Sequence, residues 1–217
     1  MLCHETAHVL NSECGATSML GGGAVMRGVG GADFRLGLDE VTAALDRVRW
    51  GDPHHSQPAV VSFTQPSDYG TLYSLGELGA IAGQARSRGL RVHLDGARIA
   101  NAIAATGCGP ADMTWRAGVD VVSLGATKNG AMSAEAIVCF DDAAADELVY
   151  RTKRAGHVTS KMRFQSAQLI AYLSDGTWLR LAANANHQMR RLATGLTERG
   201  VELVNRPDVN LAFAVID

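Results

Sequence analysis

Leu90–Gly107 reads LRVHLDGARIANAIAATG, and this run decides the fold. A strand-length stretch, Leu90–Leu94, ends on an acid, Asp95. Two small residues, Gly96 and Ala97, turn the chain into a helical stretch over Ala97–Ala105, which Gly107 ends. Strand, tight turn and helix in one breath is the grammar of a parallel sheet whose crossovers are helices.

The same grammar continues on both sides. Upstream, Leu38, Val41, Leu45 and Val48 fall at helical spacing within Leu38–Arg49, and Ala59–Phe63 reads as a buried strand. Leu75–Arg88 is a helix with Gly89 as its C-terminal cap. Downstream, Pro110–Ala117 is a short helix with proline in its first turn. Val119–Leu124 and Ala136–Phe140 are strands. The order predicts a three-layer α/β/α large domain over residues 1–160, built on a mostly parallel sheet. After Asp141 the pattern changes. Asp142–Arg154, Arg163–Leu173 and Trp178–Arg199 read as helices, and Val201–Val204 and Leu211–Ile216 as strands. Residues 161–217 are therefore expected to be linker helices and the start of an α+β small domain. That domain is expected to be incomplete, because the chain stops just after its second strand.

Composition narrows the function. The 217 residues are 47% hydrophobic with a net charge of −2, as suits a globular protein. No basic stripe is present, which argues against a nucleic-acid partner. The longest apolar runs are strand-sized, so no membrane-spanning helix is expected. The N-terminal MLCHETAH lacks the basic start and apolar core of a signal peptide. Cys3, Cys14, Cys108 and Cys139 are scattered with no CxxC, which reads as reduced thiols and a cytoplasmic setting; no metal site is expected. The glycine clusters at 21–23 and 28–31 read as turns, since neither GxGxxG nor GxxxxGK[ST] occurs.

A second motif, SLGATKNGA at Ser123–Ala131, sets Lys128 in a small-residue loop just after a strand. Alone, Lys128 would be an ordinary surface lysine. Gly125, Ala126, Gly130 and Ala131, however, strip bulk from around its amine, and Thr127 and Ser123 offer hydroxyls to a phosphate. Asp95 alone would be a helix cap. Yet a carboxylate at a buried strand end needs a cation, and Ala97 keeps the wall thin enough for a flat ring. Arg98 points to the same strand-end crevice, unless it simply pairs with Asp95 at i,i+3. An acid, an arginine and a lysine at neighbouring strand ends are what pyridoxal 5'-phosphate needs. The lysine forms a Schiff base with its aldehyde, the acid pairs with the ring nitrogen, and the arginine takes a substrate carboxylate.

HLDGARIANA, SLGATKNGAMSAEAI and CHETAHVLNSECGA together resemble the threonine aldolase family, as do DMTWRAGVDV and KMRFQSAQ. The likeness runs over nearly the whole chain. It is greatest to the low-specificity L-threonine aldolase and phenylserine aldolase branch of the fold-type I pyridoxal phosphate enzymes. The resemblance implies cleavage of β-hydroxy-α-amino acids to glycine and an aldehyde. It implies Lys128 as the Schiff-base lysine, Asp95 as the ring-nitrogen partner, and Ala97 and Thr127 among the cofactor contacts. Arg98 becomes a carboxylate ligand, and His8 stacks on the ring face. His4 is then read as a surface loop histidine. His8, Asp68 or an activated water is the candidate base for the substrate hydroxyl; Asp68, in the loop TQPSDYGTLY, also reads as a plain turn residue. Arg163 matches an arginine near the phosphate or the site mouth, and Lys153 matches more weakly; either also reads as a solvated helix charge. Homodimers or homotetramers are implied. Family members begin well upstream of Met1, so the phosphate-binding turn is expected to lie outside this chain. β-Elimination, racemisation and an inactive remnant that only binds partners stay open at this point.

Overall fold

The computed structural model describes residues 1–216. Its six-stranded sheet comprises β1 (Leu2–His4), β2 (Arg27–Val29), β3 (Val60–Thr64), β4 (Arg91–Gly96), β5 (Val121–Gly125) and β6 (Glu135–Cys139). Their order is β2-β1-β3-β4-β5-β6. All neighbours pair in parallel except β5 and β6, which run antiparallel with Val121 opposite Cys139. The β5–β6 connection is a short loop with no crossover helix, and a short loop can join only antiparallel neighbours.

Helices fill the crossovers. Ahead of β2 lie α1 (His8–Asn11) and α2 (Ala16–Leu20), followed by α3 (Leu38–Asp46), α4 (Leu75–Ser87), α5 (Ile99–Thr106) and α6 (Pro110–Met113). Ser74 caps α4, accepting from the Glu77 amide while Glu77 accepts from Ser74. One sheet face supplies Val61, Phe63, Val92, Leu94 and Val122 to the core. Against them pack Val41 and Leu45 of α3, Leu78 and Ile81 of α4, and Ile99 and Ile103 of α5. The alternation of two along each strand sends Ser62, His93, Asp95 and Ser123 to the opposite face. On that face Ile137 and Cys139 line a hollow with Leu148 and Val149 of α7 (Asp142–Arg154). The expected three layers are thus present.

Helices α8 (Arg163–Leu173) and α9 (Thr177–Thr197) send Tyr172, Trp178 and Ala182 into the same core. Asn186 of α9 and Asn101 of α5 are both buried. Asn101 Nδ2 donates to Asn186 Oδ1 at 2.9 Å, and Asn186 Nδ2 donates to the Asn101 carbonyl at 2.9 Å. Asn186→Ala is expected to leave Asn101 without its side-chain partner and to cost about 1–3 kcal/mol, read as a lower urea midpoint.

Several boundaries differ from the sequence reading. β1 and β2 escaped it because three residues carry no usable period. Pro110–Ala117 is α6 followed by a 3-10 turn, broken at Thr114, where φ −119° and ψ −107° leave the helical region. The two C-terminal strands are a single antiparallel bridge, Leu203 to Ala214. His4 is not a surface residue: it lies in β1, 6% exposed, with Nδ1 within 2.8 Å of Thr6 Oγ1. A strand that runs between two neighbours buries its residues whatever their polarity.

Candidate active site

The C-terminal ends of β3, β4 and β5 set Thr64, Asp95 and Ser123 side by side in register. Above them opens a cavity of about 220 Å³. His8 and Glu13 line it from the N-terminal segment, Pro66 and Asp68 from the loop after β3, and Ala97 and Arg98 from the turn after β4. Lys128 reaches it from the loop after β5. Strand ends of this kind are where open α/β sheets bind ligands.

Asp95 is not a helix cap. Helix α5 starts at Ile99 behind Arg98 and has no side-chain cap. Asp95 Oδ1 instead accepts the Ala97 amide at 3.0 Å, an Asx turn that fixes the carboxylate at the cavity floor. Asp95 and Arg98 form no ion pair among the described residues, so Arg98 and the second Asp95 oxygen are left for a ligand in the cavity. Gly125 is what brings the lysine loop in. A Cβ there would stand 2.4 Å from the Ala97 carbonyl oxygen and 2.7 Å from its Cα. Only glycine lets the end of β5 lie against the Asp95–Arg98 turn.

Lys128 sits in a 3-10 turn, Thr127–Asn129, exposed and with no ion pair among the described residues. The turn is held from below. Asn129 Nδ2 donates to the Tyr172 hydroxyl at 2.7 Å and to the Trp178 carbonyl at 2.9 Å. Gln168 Oε1 accepts the Met132 and Ser133 amides at 2.9 and 3.0 Å. Helices α8 and α9 therefore position the lysine loop, a function the sequence reading did not give them.

His8 opens α1. Its amide donates to Asp68 Oδ2 at 3.0 Å, and its ring Nδ1 lies 2.6 Å from Glu13 Oε1. Burial pushes the Asp68 carboxyl above its ordinary value; the His8 amide pulls it down and the nearby Asp95 charge adds to the rise. The Asp68 loop is braced. Tyr69 stacks on Phe34 at 3.9 Å and meets Phe213 at 4.6 Å, while Asp208 Oδ2 accepts the Leu72 amide at 3.0 Å. Beneath the floor, His93 bridges Ser62 at 2.8 Å and Ser123 at 3.0 Å, and burial lowers its pKa, keeping the ring neutral. Ser123 is thus already engaged.

The structure brings His8, Asp68, Asp95, Ala97, Arg98 and Lys128 together. It leaves two expected residues outside. Thr127 does not line this cavity; its hydroxyl donates to the Ala134 carbonyl at 3.3 Å. Arg163 is the exposed first residue of α8, also off the cavity wall. Glu13 and His93 were missed. Glu13 was legible as the acid five residues after His8 in HVLNSE; His93 shares its strand face with Asp95, two residues on. Among the described residues no three His, Cys, Asp or Glu gather as a metal site, and no helix is long and apolar enough to cross a membrane.

The family model for beta-eliminating lyases matches residues 1–217. A low specificity L-threonine aldolase from a Pseudomonas species is 42% identical over 217 residues, covering 98% of this chain and 61% of that protein. The enzyme of the same name from Pseudomonas aeruginosa is 41% identical over 219 residues, covering 99% and 60%. The solved threonine aldolase of Leishmania major superimposes with a TM-score of 0.90 at 25% identity, over 98% of this chain and 61% of that one. The chain spans about three fifths of the length of the curated relatives it matches. Its fold is that of the fold-type I pyridoxal phosphate enzymes.

Proposed function

This chain belongs to the beta-eliminating lyase family, and we propose from that premise that it carries the lysine-bearing site of a pyridoxal 5'-phosphate-dependent aldehyde-lyase. The substrates are β-hydroxy-α-amino acids, L-threonine and L-allo-threonine among them, cleaved to glycine and an aldehyde. One observation carries the reading: Lys128, Asp95, Arg98 and His8, from three separate segments, meet in one cavity at the strand ends.

The residues fit the cofactor. Among the described residues, Asp95 offers a carboxylate oxygen with no partner and Lys128 an unpaired amine, and Ala97 offers a flat wall. Bound there, pyridoxal phosphate supplies an aldehyde for the amine and a ring that draws electrons from a bond at Cα. Lys128 would provide the amine that holds the group. Asp95, fixed by the Ala97 amide, holds a proton at the ring nitrogen. Arg98 takes the substrate carboxylate with paired, charge-assisted hydrogen bonds, which sets the rotation about the N–Cα bond and so selects Cα–Cβ for cleavage. His8 accepts the hydroxyl proton. Asp68, occupied by the His8 amide, holds the base in place.

Thr127 and Arg163 keep second-line roles in this proposal, at the phosphate and the mouth of the assembled site. The assembled enzyme is a homodimer or homotetramer of the cytoplasm, the setting that four unpaired cysteines favour. Incubation of the protein with pyridoxal phosphate and L-threonine tests the activity. Glycine and acetaldehyde in equal amounts support the aldol reading over elimination, which the aldolase names of the 41–42% identical relatives also favour. A 2-oxo acid and ammonia without glycine would overturn it.

A further inference from the structure

We propose that Glu13 is a positioning residue for His8: it fixes the ring tautomer so that Nε2 faces the cavity as a bare proton acceptor. The proposal rests on the lyase reading for where the proton comes from, but not for the state of the ring. Three observations meet in it. Glu13 Oε1 stands 2.6 Å from His8 Nδ1, a short contact of the charge-assisted kind. The carboxylate only accepts, so the hydrogen between them belongs to Nδ1. The backbone of His8 is pinned independently, since its amide donates to Asp68 Oδ2 at 3.0 Å. Ring and main chain are thus held from two loops, and both residues line the cavity with Asp95, Arg98 and Lys128.

Stability does not account for the contact. The side chains of His8 and Glu13 are 46% and 45% exposed, and ion pairs that exposed contribute little to folding. A carboxylate behind a histidine instead sets which nitrogen carries the proton. In water a neutral imidazole prefers the proton on Nε2, which would blunt the base. With the proton on Nδ1, Nε2 takes the substrate hydroxyl proton. The O–H electron pair becomes the second C–O bond of the aldehyde, and the Cα–Cβ pair stays with Cα, later protonated as glycine.

The test reads the ring first. Long-range proton–nitrogen spectra of the cofactor-free protein, in mildly alkaline solution where imidazole is neutral, identify the His8 tautomer; His8→Gln assigns the signal. The Nδ1–H form is expected in the native protein. Glu13→Ala should move His8 to the Nε2–H form, and Glu13→Gln, which keeps an acceptor oxygen, should restore much of the Nδ1–H form. With cofactor loaded, Glu13→Ala should lower kcat for glycine formation about tenfold or more with KM for L-threonine nearly unchanged. An unchanged tautomer in Glu13→Ala, or a changed tautomer with unchanged kcat, overturns the proposal. A native protein that makes no glycine contradicts the lyase reading instead, and the tautomer spectra still decide what Glu13 does.

Discussion

Lys128→Ala is expected to abolish both the visible band that pyridoxal phosphate shows when linked to a protein amine and the formation of glycine from L-threonine. The rate should fall by about three orders of magnitude or more, the scale of losing a covalent catalytic group. The fold should be untouched. The side chain is exposed and has no ion pair among the described residues, and the turn that carries it is held by Asn129, Gln168 and Tyr172 rather than by the lysine. Absorbance spectra and a glycine assay, beside a denaturation curve that matches the parent protein, check the result. A retained band would move the anchor to Lys153 or Lys161, the other two lysines of the chain.

Asp95→Asn should leave the cofactor bound and turnover lost. A neutral amide does not hold a proton on the ring nitrogen, so the electrons released at Cα lose their sink. The expected loss is about a hundredfold or more in rate, a few kcal/mol of transition-state stabilisation. Asp95→Ala should also loosen the cofactor, because it removes the oxygen that accepts the Ala97 amide and with it the Asx turn at the cavity floor. If Asp95 served only the turn, asparagine would keep it, since its amide oxygen accepts the same bond. Near-native glycine production by Asp95→Asn would therefore end its assignment to the ring nitrogen.

Much of this was legible in the chain. HLDGAR and SLGATKNGA carried the strand ends, and the crossover periodicity carried the sheet around them. That they share one cavity follows from β4 and β5 being parallel neighbours, with Asp95 in register with Ser123. What escaped was contact that no local pattern encodes. The grip of α8 and α9 on the lysine loop runs through Gln168, Tyr172 and the Trp178 carbonyl, some forty residues away in sequence. His93 looked like one more polar residue in an apolar strand until Ser62 and Ser123 appeared on either side of it. Thr127 turns its hydroxyl to the Ala134 carbonyl, and which way a side chain leaves a 3-10 turn is not written in composition. The predicted C-terminal strands failed for a similar reason. Leu211–Ile216 has the apolar content of a strand, but its Phe213 packs at a tilt against Tyr69 and only one bridge forms.

The central claim is that Lys128 is the residue that holds the cofactor. Three lysines make it directly testable. The protein is loaded with pyridoxal phosphate, reduced with borohydride to make any lysine–cofactor bond permanent, digested, and its peptides are weighed. The pyridoxyl-phosphate mass is predicted on the peptide containing SLGATKNGA, at Lys128, and on no other. The same mass on Lys153 or Lys161, or on none of the three, would contradict the account.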